Sequence, residues 1–281
     1  MGRGPTRLLD TGLAKRLSSK GHDVTVVVLD HESGQLTPEP ATMLGLNRRL
    51  SEEVGRCTRD GAFPIVLAGS CYTCLGTVAG LGPSATGVVW FDTHGDYNTP
   101  ETSGSGFLDG MALAMLTGRC WKALTGSLPG FEPVPESRVC LVGTRDVDPL
   151  EQELIDGGEV EQVPADDVDS GLGPVLDRFR ESVTGVYLHL DLDVLDPSVG
   201  MANEMAAPGG LTVAQAVGAI AAIGRASPVK AVAVTAYDPA CDHIGSVARA
   251  AFRLLDAVLA SASTGAEPRG AEAGRRRIAA P

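Results

Sequence analysis

The chain is predicted to fold as a single α/β domain on a doubly wound parallel sheet, with helices on both faces. Three observations predict it. The short apolar runs are continuous in Val, Ile and Leu instead of alternating with polar residues, as in parallel strands buried on both faces. Stretches of helical periodicity separate these runs, the pattern of repeated βα units with right-handed crossovers. A length of 281 residues suits one large domain of this class better than two smaller ones.

In chain order, residues 6–20 read as a helix and 23–29 as the first strand. A helix at 46–60 leads to a strand at 64–68, and a helix at 74–80 to a strand at 87–92. A helix at 108–117 precedes a strand at 138–142. A helix at 149–156 precedes a strand at 160–164, and one at 173–183 a strand at 186–191. The helix at 212–224 opens on Thr212 with Gln215 three residues later, the signature of a capping box. A strand at 230–237 and a helix at 246–260 complete the domain, which is expected to span residues 1–260. Residues 261–281 are small, polar and rich in Gly, Ala and Pro. They are expected to form a disordered tail in which Arg275, Arg276 and Arg277 are solvated.

A formal net charge of −12 argues against nucleic-acid or anionic-membrane partners. No run approaches the ~18 uninterrupted apolar residues of a membrane span, and no apolar signal core opens the chain, so a soluble, cytoplasmic protein is expected. The cysteines then read as mostly free thiols. Cys71 and Cys74 form a C-x-x-C. With no second such pair a structural four-cysteine zinc site is disfavoured, and redox chemistry would leave the aspartate clusters unexplained.

Those aspartates carry the strongest signal. One strand runs into Asp92-Thr-His94-Gly-Asp96 and another into Asp191-Leu-Asp193, followed by Asp196-Pro197. A third run ends near Cys71. Sites in open α/β sheets form beyond the carboxyl ends of the strands, which is where all of these residues fall. So many carboxylates in a small site require solvent or cations. The donors are mainly oxygen with one imidazole, which suits Mn²⁺ and related ions. The set exceeds one ion's usual share, so two divalent cations bridged by Asp92 and Asp191 is the economical reading. Such a pair acidifies a shared water and points to hydrolysis without an organic cofactor.

These segments resemble the ureohydrolase family of arginases, agmatinases and formiminoglutamases. Asp92-Thr-His94-Gly-Asp96 is similar to its D-A-H-x-D motif, and Asp191-Leu-Asp193-Val-Leu-Asp196-Pro197 to its D-x-D-x-x-D-P motif. Gly209-Gly210-Leu211-Thr212 matches its G-G-L-[ST] helix start, and the likeness runs from Gly4-Pro5 to near Ala260. The family fold is itself a doubly wound parallel sheet. The resemblance implies a binuclear-metal amidinohydrolase acting on a small guanidino amino acid. Asp92 and Asp191 would bridge the ions, Cys71 and Asp96 complete one, and His94 and Asp193 complete the other. Asn98 and Ser105 match residues that contact an α-carboxylate in arginases, and Asp148 and Glu151 match those that hold the α-amino group. Asp148 and Glu151 also sit where acids favour a helix start. Trimers or hexamers are common in the family, so a homo-oligomer is compatible with the resemblance.

The chain departs from the family in three places. Cys71 takes the position of a metal-binding His in the family's G-G-D-H-S. As a softer ligand it would move preference from Mn²⁺ toward Zn²⁺ or Fe²⁺. The Glu that pairs with the substrate guanidinium falls near Ala236, which favours a less basic group such as an N-hydroxyguanidine. Asp238 offers a substitute only from the other side of the strand. Asp109 replaces a proton-shuttling His and serves if burial raises its pKa. A Cys-for-His site and Asn98-Thr-Pro-Glu-Thr are similar to the family branch that hydrolyses N-hydroxy-L-arginine. The family also begins with a strand before its Gly-Pro. Its absence ahead of Gly4-Pro5 is expected either to leave a sheet position empty or to mark a truncated start.

The function expected is hydrolysis of arginine or N-hydroxyarginine to ornithine plus urea or a urea derivative. The alternatives are hydrolysis of another amidine or formimino group, motivated by Ala236, and a non-catalytic metal-binding relative, motivated by the departures together.

Overall fold

The computed structural model describes residues 1–29, 38–82, 86–264 and 275–280. Its strands are β1 (Asp23–Val28), β2 (Phe63–Leu67), β3 (Thr86–Phe91), β4 (Val139–Val142), β5 (Glu161–Val163), β6 (Gly185–Asp191), β7 (Val229–Thr235) and β8 (Arg275–Ala280). They form one 8-stranded sheet, parallel throughout, in the order β1-β8-β2-β7-β6-β3-β4-β5. The strands read from continuous apolar runs are all present, and β2, β3 and β6 are buried along their whole length. Such runs form interior parallel strands because both faces are covered.

Two helical layers cover the sheet. On one face α1 (Gly4–Asp10), α2 (Leu13–Ser19), α8 (Val168–Ser182), α9 (Val213–Ala226) and α10 (Ser246–Thr264) bury Leu8, Leu17, Phe179, Ile220 and Leu255 in a common core with Ile65, Leu188 and Val234. On the other, α3 (Glu39–Arg59), α4 (Cys74–Leu81) and α5 (Ala112–Leu116) pack Leu50, Leu75 and Leu113 against Val66, Trp90 and Tyr187. The short α6 (Lys122–Thr125) and α7 (Pro149–Asp156) complete the set. The capping box expected at Thr212 and Gln215 opens α9.

Two local expectations are corrected. The helix read over residues 6–20 is two helices, broken at Gly12, whose φ of 97° only glycine adopts freely. The strand read to residue 237 stops at Thr235, because Ala236 turns into the left-handed region at φ 53°. Gly4-Pro5 is the start of α1, where a Cβ on Gly4 would collide with the Tyr237 carbonyl oxygen, so the close approach of helix and strand end demands glycine there.

The largest correction concerns the end of the chain. Residues 275–280, read as part of a disordered tail, are β8, paired with β1 on one side and β2 on the other. The sheet position expected to be empty is filled by the last strand in sequence. Ile278 pairs with Val26 and with Ile65 and is 0% exposed. The arginines read as solvated have partners: Arg276 lies over the Phe63 ring, and Arg277 approaches Glu53 and Asp60. The disorder expected of residues 265–274 and 281 lies outside the described residues. No helix among the described residues is long and apolar enough to cross a membrane.

Candidate metal centre and substrate cavity

The strands that carry the site residues, β2, β7, β6, β3 and β4, are consecutive neighbours in the sheet, so their carboxyl ends open onto one cavity of about 560 Å³. Side chains two apart on a strand share a face. Trp90 and Asp92 therefore project together at the end of β3, and Tyr187, His189 and Asp191 along β6. The register sets Trp90 beside His189 and Asp191 beside Thr235. Cys71 begins the tight turn into α4, which brings its thiol over the end of β6: Sγ donates to Asp191 Oδ2 at 3.1 Å and lies 3.5 Å from Thr235 Oγ1.

Two groups of donors form there and share Asp92. Cys71, Asp92, His189 and Asp191 each offer an atom within 4.8 Å of the others, and so do Asp92, His94 and Asp193. Asp92 Oδ1 accepts from His94 N at 2.8 Å and faces His94 Nδ1 at 3.2 Å, while its Oδ2 accepts from Trp90 Nε1 at 3.1 Å. Asp193 Oδ2 accepts from Asn203 Nδ2 at 3.0 Å, and its Oδ1 accepts from Thr93 N. Asp96 lines the same cavity from a left-handed backbone, φ 49°, a strained conformation for a residue other than glycine.

The electrostatics are those of a cation site. Asp92, Asp96, Asp191 and Asp193 are all at least nine-tenths buried, and no Lys or Arg is among the described residues lining the cavity. Burial, then the charge of Asp193, pushes Asp92 up to about 6. Burial and neighbouring carboxylates hold Asp96 and Asp191 well above the usual carboxylate range. Burial disfavours the His94 cation, but the hydrogen bond and charge of Asp92, with Asp193 and Asp191, outweigh it and lift His94 to about 10. The Cys71 thiol is raised by burial and then by Asp191. Asp96 Oδ2 is buried without a hydrogen-bond partner among the described residues. Clustered, desolvated acceptors with one orphaned oxygen, no Lys or Arg and a single imidazole among them fit divalent cations, which would supply the missing positive charge.

The Arginase family model matches residues 3–260. The chain belongs to the arginase family. It is 30% identical over 271 residues to an arginase of Staphylococcus aureus, covering 90% of this chain and 89% of that one. It is 33% identical over 217 residues to an arginase of Bacillus caldovelox, covering 74% and 72%. The crystal structure of an arginase from Bacillus cereus superposes with a TM-score of 0.81 at 26% identity, over 94% of this chain and 92% of the other.

Within this arginase-family frame most of the residues singled out from sequence converge. Cys71, Asp92, His94, Asp191 and Asp193 fall in the two donor groups. Asp96, Asn98, Ser105, Asp109, Asp148 and Glu151 line the cavity around them. The partition differs from the expected one: Asp191 stands in the Cys71 group only, and Asp96 in neither. Asp109, 6% exposed, accepts from Tyr72 N, and burial pushes it up to about 7. Glu151 is occupied by the backbone: it accepts from Tyr97 N at 2.6 Å and closes a capping box with Asp148 at the start of α7. Its helix-start reading is therefore the one its contacts support. Asp148 Oδ2 faces the cavity beside Asn98 Nδ2 at 3.3 Å. Asp238 is not among the cavity residues. Its carboxylate turns to Ala240 N and Met1 N, so it does not replace an acid at Ala236.

Four residues escaped the sequence reading. His189 was signalled by its place two residues before Asp191 on one strand face. Thr235 has no signal, because its closeness to Asp191 depends on strand register. Arg145 binds the carbonyl oxygens of Asp193, Val194 and Ala207, tying the loop after β6 to the end of β4. Asn203 joins Asp193 to the Ala236 carbonyl. Neither has a motif.

Proposed function

We propose that this chain is a binuclear-metal amidinohydrolase that cleaves the guanidino group of an arginine-like α-amino acid, with N-hydroxyarginine preferred over arginine. The observation that carries the reading is the pair of donor groups sharing Asp92 at the floor of a cavity whose rim holds Asn98, Ser105 and Asp148. Family membership and the arginases among its relatives support the reaction class.

Cys71, Asp92, Asp191, His94 and Asp193 would hold the cations, and Asp96 lines the same cavity. When bound, the dications would acidify a water and polarise the group under attack. The protein's own residues supply the rest. Asn98 and Ser105 bind the α-carboxylate, and Asp148 binds the α-amino group, its helix fixed by Glu151. Holding both ends of the amino acid places the guanidino carbon over the floor. Asp109 keeps a proton near neutral pH and passes it to the leaving amine. Ala236 offers a methyl where a carboxylate would pair with a guanidinium, which a less basic N-hydroxyguanidine misses less.

The test is metal content with ornithine release after Mn²⁺ or Zn²⁺ loading. About two ions per chain and faster release from N-hydroxyarginine are expected. Full metal loading without ornithine from either substrate would overturn the reading in favour of another amidine or a non-catalytic relative.

Two substitutions probe the assignments. Asp109→Asn is expected to lower kcat about 100-fold, the lower end of what a positioned proton carrier contributes. It should also remove an inflection at or below pH 7, since a nearby dication lowers a carboxyl that burial, with smaller contributions from its neighbours, sets at about 7. A kcat profile against pH checks both. Ala236→Glu is expected to shift the ratio of kcat/KM values toward arginine by about 10-fold, equivalent to about 1.4 kcal/mol, by returning a carboxylate to the cavity. Competition between the two substrates measures it.

A further inference from the structure

His189 has no part in that mechanism, yet its ring is stacked and both its nitrogens have partners. Its ring stacks on Trp90 with centroids 3.5 Å apart and planes 4° from parallel, and the Tyr187 ring meets it edge-on at 6.0 Å. Nδ1 lies 2.9 Å from Tyr187 Oη and Nε2 lies 3.0 Å from Thr235 Oγ1. That same Thr235 hydroxyl is 3.2 Å from Asp191 Oδ2 and 3.5 Å from Cys71 Sγ. It marks the point on which imidazole, carboxylate and thiol converge.

We propose that His189 is itself a metal ligand, binding through Nε2 the cation held by Cys71, Asp92 and Asp191. The proposal rests on the two-cation reading of the site and adds to it a donor from within β6. The imidazole lost where Cys71 stands is thereby regained two strands away in the sheet. Three features support it. Donor atoms of all four residues lie within 4.8 Å of one another, the span of a single ion's ligands. Nδ1 lies 2.9 Å from Tyr187 Oη, and with the proton on Nδ1 the Nε2 lone pair faces the cluster, the arrangement in which a second partner fixes the tautomer of a ligating histidine. Contacts of 3.0–3.5 Å to the Thr235 hydroxyl become bonds of about 2.0–2.3 Å if that side chain turns aside and the donors close by roughly 1 Å.

The chemical consequence is a division of labour. One thiolate, one imidazole and two carboxylates make a closed, four-coordinate set that favours Zn²⁺ or Fe²⁺ over Mn²⁺. Asp92, His94 and Asp193 leave positions open, and His94 is the ligand with solvent access, 27% exposed at its side chain. The cation that Asp92, His94 and Asp193 would hold is therefore the one nearer solvent.

The experiment is Co²⁺ titration of the full chain, followed by the visible and thiolate charge-transfer absorption, with X-ray absorption on the zinc-loaded protein to count imidazoles. In the unaltered protein a four-coordinate spectrum with thiolate and imidazole is expected at the tighter site. His189→Gln is expected to lose one imidazole, weaken that site about 100-fold or more and leave the second site in place. Tyr187→Phe retains the ligand and removes its partner, and about 10-fold weaker binding is expected, which keeps the test valid should His189→Gln fail to fold. Two cations bound with the same spectrum and imidazole count in His189→Gln would overturn the role of His189 alone. No loss of affinity in Tyr187→Phe would do the same. No cation bound by the unaltered protein would overturn the metal reading and this ligand with it.

Discussion

Asp191→Asn is expected to abolish turnover while making the metal-free protein more stable. Asp191 is 2% exposed, and its Oδ2 accepts from both Cys71 Sγ and Thr235 Oγ1. An amide in its place removes a charge that the cations need, so a loss of roughly 1000-fold or more in kcat/KM is expected, about 4 kcal/mol of barrier. Without metal, the same charge is a liability, because burial and then Asp193 and Asp92 oppose it. Removing it should stabilise the metal-free chain by about 1 kcal/mol, about 2–4 °C in Tm for a protein of this size. A carboxyl whose folded pKa lies above its unfolded value holds its proton longer in the folded chain. The folded state then binds more protons between the two values, and stability falls as pH rises through that window. For Asp92 the window ends at about 6 and for Asp109 at about 7, so metal-free protein should lose stability between the ordinary carboxylate range and neutrality. Asp191→Asn should flatten that decline, and metal should reverse it. Urea denaturation across pH, with and without metal, measures all three.

Ile278→Asp is expected to unfold much of the population. The side chain is 0% exposed between β1 and β2, packed in the core that α1 and α2 cover. A carboxylate there has no partner, and an uncompensated buried charge costs about 3–5 kcal/mol. That is a large part of the roughly 5–15 kcal/mol by which folded domains are usually stable. The loss would spread to the site, because β8 braces β2, and the turn after β2 presents Cys71. Arg275→Asp at the exposed start of the same strand is expected to change stability by less than about 0.5 kcal/mol. Equal melting temperatures for the two variants would show that β8 does not hold the sheet together.

Why the sequence concealed β8 is visible in its composition. Arg275-Arg276-Arg277-Ile278-Ala279-Ala280 has one β-branched residue and three consecutive charges, with low-complexity chain before it. Strands read readily when their own side chains carry the apolar burial, as Val88-Val89-Trp90-Phe91 does. β8 is buried by its position between two other strands, and position between strands is not written locally. A similar division separates the site residues. Asp92, His94, Asp96, Asp191 and Asp193 lie in two short motifs at strand ends, because a cation site needs donors close together and two strands supply them in pairs. His189 also lay in view, two residues from Asp191, but its meaning comes from the Trp90 ring stacked on it and from Thr235 across the register.

The sequence by itself determined the fold class, the family and the floor of the cavity. Alternating βα periodicity and closely spaced ligands are local properties, and a chain cannot carry them without displaying them. Only the tertiary structure decided which strand fills the slot between β1 and β2, which donors share an ion-sized space and which acids are already taken. Glu151 shows the last point: its type and spacing fit a substrate contact, but the Tyr97 and Asp148 amides reach it first. Such outcomes depend on distances of an ångström or less between residues far apart in the chain, and those are set by how layers pack on the sheet.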